Sequence, residues 1–152
     1  MNKYKGFTLI ELIFVISIIL ILTMMAGLNY NIIDKIEGNN QIKELVYNIN
    51  QMRTYSQVHN KATVIDFNDK GYTLKFSGKS QNFNFNNKVR LIETNLNSVR
   101  FTAKGKPSYK NYENSAGTII YGIENKIYKI TIEPVTGKVN LKNVEELNEE
   151  KI

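Results

Sequence analysis

The feature that most constrains this chain is one apolar run near its start. From Phe7 to Leu28 the sequence reads FTLIELIFVISIILILTMMAGL, and Glu11 is its only charged residue. About 22 residues rising 1.5 Å each make roughly 33 Å of helix, close to the ~30 Å hydrocarbon thickness of a bilayer. A helix apolar on every side is too much surface for so small a domain to cover, so a buried core helix is a poor reading. Lys3 and Lys5 precede the run. Positive charge on the short flank predicts that this end stays in the cytoplasm and the rest of the chain lies outside. A signal peptide or plain signal anchor also fits a basic leader before an apolar stretch. The stretch is long for a signal core, however, and Met24 before Met25-Ala26 makes a poor small-x-small cleavage site.

Glu11 needs its own explanation. A carboxylate near the centre of a membrane helix costs ~2.5–3.5 kcal/mol on insertion scales, and less toward the interface. Such a group is normally kept because it has a partner. A cut between Gly6 and Phe7 would create an α-amine at Phe7, one helical turn from Glu11. Pairing, within one chain or between neighbouring copies, would offset the desolvation of both charges.

Lys5-Gly6-Phe7-Thr8-Leu9-Ile10-Glu11-Leu12 resembles the class III signal of type IV prepilins and pseudopilins. The resemblance covers roughly residues 1–30. It implies that a prepilin peptidase cleaves after Gly6 and N-methylates Phe7, and that Glu11 registers the subunit in a filament. It also implies other pilins or pseudopilins, an inner-membrane assembly platform and membrane lipid as partners. The expected location is a single-pass protein of the cytoplasmic membrane, N-terminus inside and head outside, passing to a periplasmic or cell-surface filament on assembly.

The expected organisation is a cleaved leader over 1–6, a membrane and filament-core helix over 7–28, an amphipathic helix over 29–60, a β-rich head over 61–144 and a fraying charged tail over 145–152. In the second helical segment Ile42, Leu45, Val46, Ile49, Met52 and Ser56 recur every three or four residues, which predicts one packed face. Gly38-Asn39-Asn40 interrupts this pattern and predicts a loosened or bent helix. After residue 60 the period becomes two. Thr63, Ile65 and Phe67 share a face, as do Tyr72, Leu74 and Phe76, and the turn-rich Asn68–Gly71 between them predicts a hairpin. Further strands are expected over 83–85, 89–93, 98–102, 117–123, 126–133 and 138–142. Tyr128, Ile130 and Ile132 share a face, Pro134 ends a strand, Gly137 marks a turn, and 103–116 reads as a long polar loop.

One helix followed by antiparallel strands gives an α+β fold, and pilin-like proteins share this layout. Phe101, Gly105, Pro107, Gly117–Ile120 and Thr136–Val139 resemble the H-type minor pseudopilins of type II secretion and their relatives in pili and competence systems.

Catalytic chemistry finds little support. The chain has one histidine, His59, and no cysteine. A lone histidine at a helix end is more often a surface or capping residue. No phosphate-binding loop appears, and no cofactor is expected. Asp66–Gly71 mimics half a calcium loop, but Lys70 occupies a ligand position and Ser77 stands where a glutamate is needed, so no metal is expected. Lys104, Lys106, Tyr109, Lys110 and Tyr112 interleave cations with aromatics, as phosphate-contacting and base-stacking surfaces do. The favoured reading is an ordinary solvated loop, with nucleic acid a less favoured partner.

The expected function is that of a minor pilin or pseudopilin in a type IV pilus, type II secretion or competence system. The alternative is a signal-anchored extracellular binding domain that does not polymerise.

Overall fold

The computed structural model describes residues 8–110 and 113–145, without the side chains of 26–31, 110, 113, 114 and 145. Contacts divide the chain into two compact units, Met1–Asp34 and Lys35–Ile152. Helix α1 covers Leu9–His59. The strands that follow are β1 Thr63–Asn68, β2 Gly71–Phe76, β3 Lys79–Asn84, β4 Val89–Thr94, β5 Ser98–Phe101, β6 Tyr109–Lys110, β7 Glu113–Asn114, β8 Gly117–Ile123, β9 Lys126–Ile132 and β10 Val139–Glu145. The fold is α+β, as the change of period requires.

In the first unit every described side chain from Leu9 to Met25 is exposed. In the second unit the helix carries a stripe. Ile42, Leu45, Ile49, Met52 and Ser56 are all buried, and Val46 is partly buried beside them. This three-and-four spacing puts one face of the helix against the sheets.

The strands form two four-stranded antiparallel sheets instead of a single one, in the orders β3-β2-β1-β5 and β10-β9-β8-β4. Alternation chooses the buried face in each. Ile65, Tyr72 and Leu74 turn inward from the first sheet, and Ile119, Tyr121, Ile123, Tyr128, Ile130 and Ile132 from the second. Hydrogen bonds fasten the helix to what surrounds it, among them three along its packed stretch. Asn48 Nδ2 donates to the Tyr72 hydroxyl at 2.8 Å, the Tyr128 hydroxyl to Asn39 Oδ1 at 2.6 Å, and the Asn86 amide to Gln41 Oε1 at 2.8 Å. Burial pushes the Tyr72 phenol up to about 12, so it remains a neutral partner for Asn48.

The turns follow the expected chemistry. Asn68 Oδ1 accepts from the Lys70 amide at 2.9 Å and closes the β1–β2 hairpin. Ser77 and Gly78 both have positive φ, 47° and 75°, which suits the tight β2–β3 turn. Strand β9 ends two residues before Pro134, and Gly137 sits at φ 66° in the turn to β10.

Three expectations change. α1 runs through Gly38-Asn39-Asn40 without interruption. Gly38 is a packing position, since a Cβ there would lie 3.2 Å from Val89 Cγ2 and 3.4 Å from Ile123 Cδ1, and Asn39 holds Tyr128. Strand β3 begins at Lys79, four residues before the expected 83–85 segment, because the tight Ser77-Gly78 turn returns the chain at once onto β2. The segment 103–116 contains the short β6–β7 pair, Tyr109 opposite Asn114 and Lys110 opposite Glu113. The tail beyond Glu145 lies outside the described residues.

Candidate functional site at the start of the helix

Thr8 sits just before α1, and Glu11 occupies its first turn. Glu11 Oε2 accepts from the Thr8 amide at 2.9 Å and from the Thr8 hydroxyl at 2.9 Å. The Thr8 hydroxyl oxygen accepts from the Glu11 amide at 3.4 Å. This reciprocal pattern is a capping box, in which threonine at the cap and glutamate three residues on satisfy each other's backbone donors. The T-x-x-E spacing of Thr8 and Glu11 is the local sequence signal for this geometry. Glu11 therefore has a neutral partner before any processing. Its carboxylate also faces the positive end of the helix macrodipole, which favours an anion there.

The rest of the apolar run hides its few polar groups against its own backbone. Ser17 Oγ donates to the Ile13 carbonyl at 2.8 Å, and Thr23 Oγ1 to the Leu20 carbonyl at 2.9 Å. Hydroxyls satisfied this way need no water, which suits a lipid or helix-bundle setting. Among the described residues no helix is long and apolar enough to cross a membrane. Their side chains cover Leu9 to Met25, about 25 Å at 1.5 Å per residue, while the apolar sequence continues to Leu28.

The model of the prokaryotic N-terminal methylation motif matches residues 1–27. The chain thus carries a prepilin-type N-terminal motif. The motif supports the prepilin and pseudopilin family, a substrate of prepilin peptidase and a membrane-anchored N-terminus. The match ends before the head begins. No curated protein and no solved structure matches the chain.

The remaining candidate residues are scattered. Gly6, Phe7 and Tyr112 lie outside the described residues, as does the side chain of Lys110. Lys104 and Tyr109 are exposed, as is Lys106. The Lys104 and Lys106 side chains flank the turn in which the Gly105 amide donates to the Thr102 carbonyl at 2.8 Å. His59 packs its ring on Tyr55 with centroids 4.1 Å apart, a structural contact at the helix end. Asp66, the first residue of the calcium-like segment, pairs with Lys75 at 2.6 Å. Among the described residues no group of three or more His, Cys, Asp or Glu could hold a metal ion.

Proposed function

We propose that the protein is a minor pilin or pseudopilin, a non-enzymatic subunit of a type IV filament system serving secretion, pilus function or DNA uptake. The methylation motif over residues 1–27 carries this reading. Prepilin peptidase cuts between Gly6 and Phe7 and methylates the new amine of Phe7. The head is held outside the cytoplasmic membrane, with the apolar segment stored in lipid. Assembly moves that segment from lipid into a bundle of like helices. Both surroundings are apolar, so packing and charge pairing set the direction. In the precursor Thr8 occupies the Glu11 carboxylate. After the cut, the Phe7 amine is a new donor beside Thr8, and Glu11 becomes the registration charge for its own or a neighbouring subunit.

Mass spectrometry of the N-terminal peptide from a peptidase-positive host tests the processing step. The expected peptide starts at N-methylated Phe7, and Gly6→Val abolishes it by crowding the scissile bond. A chain that keeps Met1 in the peptidase-positive host supports the signal-anchored binding domain instead.

Assembly is tested separately. Glu11→Leu should insert and be cleaved normally but enter sheared filaments poorly, because the methylated amine loses its partner in a dry core. Wild-type levels of Glu11→Leu in filaments would remove Glu11 from registration while leaving the processing result standing.

A further inference from the structure

Two faces of the second unit carry exposed apolar side chains beside charges that form no ion pair among the described residues. The first is the outer face of the second sheet. The inner face of that sheet meets α1, where Gly38 makes room for Val89 and Ile123 and Asn39 bonds to Tyr128. The outer face looks away from the helix. Register places Val144 beside Ile127 and Ile127 beside Gly122, and a bulge between Leu91 and Glu93 leaves Ile92 over Gly122. Ile92 is 51% exposed. Across the four strands this apolar strip runs about 14 Å at ~4.8 Å per spacing. In the next row Lys129 and Lys142 stand directly opposite each other, an unfavourable cross-strand pair. Both lysines are exposed on the same side of the strip. The first sheet differs, for there Lys75 pairs with Asp66, and Thr73 Oγ1 donates to Asn82 Oδ1 at 2.9 Å.

The second face is the side of α1 turned away from the core. Ile36 is 55% exposed and Tyr47 60%. At 3.6 residues per turn and 1.5 Å per residue they point within about 20° of each other, ~16 Å apart along the axis. Glu37 and Glu44 are exposed on one flank of this line, and Lys43 lies toward the other. Glu37 Oε1 accepts only a long bond, 3.4 Å, from Gln41 Nε2.

We propose that these two faces are the halves of one contact between copies of this chain. The helix face of one copy docks on the outer second-sheet face of another. Ile36 and Tyr47 cover the Ile92–Ile127 strip, and Glu37 and Glu44 meet Lys129 and Lys142. The apolar line and the apolar strip match in length, and each has charge of opposite sign along one flank. The helix lies on the inner side of the sheet, so a chain cannot close this contact on itself. A contact between two different faces leaves one of each unused in every pair, and therefore repeats from head to head. Resting on the filament-subunit reading, the contact adds specific head surfaces to the apolar helical segment.

The chain has no cysteine, so introduced ones report without background. Asn40→Cys, beside the apolar line, and Ile120→Cys, between the strip and Lys129, are placed on separate full-length chains. The chains are purified in detergent from a peptidase-positive host, mixed and mildly oxidised. The mixture should form disulfide-linked dimers about tenfold faster than Asn40→Cys mixed with Asn82→Cys on the first sheet. Lys129→Glu with Lys142→Glu on the Ile120→Cys chain should slow this about tenfold, and Glu37→Lys with Glu44→Lys on the other chain should restore it. Equal rates in the two mixtures, or no response to the charge reversal, would overturn the contact. Equally fast dimers from Asn40→Cys alone would also overturn it, by assigning the helix face to a symmetric pair. The N-terminal peptide mass of the same samples reads processing separately. Chains trimmed at Gly6 that give no such dimers strike the contact and leave the filament reading in place.

Discussion

Two stretches of one helix use the same residue types for opposite ends. From Leu9 to Met25 the leucines, isoleucines and valine are exposed, Leu9 at 78% and Met24 at 77%. In the later stretch Ile42, Leu45 and Ile49 are at 0%. Apolar content does not separate the two; its distribution does. In the later stretch the apolar positions recur at intervals of three and four, with Lys43, Glu44 and Gln51 left on the solvent side. A sheet can cover that stripe. In the earlier stretch apolar residues surround the axis, and covering them takes lipid or a ring of other helices. Folding thus uses one half of the helix, while the described side chains of the other half stay exposed.

The sharpest way to break this contrast is to truncate one leucine in each half. Leu45→Ala opens a hole in the head core and should cost about 2–5 kcal/mol. Leu20→Ala removes a 62% exposed side chain that contributes nothing to that core, and should leave the unfolding midpoint of the head unchanged. Urea unfolding of the full chain in detergent, followed by tyrosine near-UV circular dichroism, reads both. Similar losses for the two variants would mean that the halves do not differ in what they hold together.

Much of this contrast was legible in the sequence because hydrophobic period survives without coordinates. The stripe from Ile42 to Ser56 and the inward alternation of Tyr128, Ile130 and Ile132 are both present as read. What failed were inferences from residue type at single positions. Gly38-Asn39-Asn40 has the composition of a loosened or bent turn, yet here a glycine makes room for Val89 and an asparagine meets Tyr128, eighty-nine residues away in sequence. No local signal encodes such a partner. The division into two sheets was illegible for the same reason, since β5 pairs back to β1 and β4 reaches across to β8. At the candidate site Glu11 was legible and its geometry only half so. A lone carboxylate in an apolar run points to a cation, whereas its partner in the structure is the neutral Thr8 three residues before it.

That threonine offers a smaller perturbation. Thr8→Val keeps the shape but removes the hydroxyl that bonds to Glu11, and losing a cap of this kind costs about 1 kcal/mol locally. Amide exchange over residues 9–12 should quicken in the membrane-inserted precursor, with Thr8→Ser restoring protection. The head, including Leu45 and Ile49, should show no change. Faster exchange in the head of Thr8→Val would show that the two halves are energetically coupled, contrary to the comparison.

The smallest expected effect lies where the packed half begins. Lys35 Nζ is 2.9 Å from Glu124 Oε2, and Lys88 Nζ is 3.7 Å from Glu124 Oε1, at the turn between β8 and β9. The hydrogen bond and charge of Lys35, helped by Lys88, hold the Glu124 carboxyl below the usual carboxylate value against a small desolvation effect. A carboxyl depressed in the folded state stabilises it above the unfolded value, near pH 4.3, and that contribution fades as pH falls through the folded value. Glu124→Gln should therefore lower the Tm slightly at pH 7. The gap to wild type should narrow as pH drops below about 4, and also in high salt, since exposed pairs are screened. A gap of constant size from pH 7 to pH 3 would mean that Glu124 acts through its turn geometry, at φ 51°, and not through its charge. The hold at the start of the packed half would then rest on backbone shape and Gly38 packing more than on these charges.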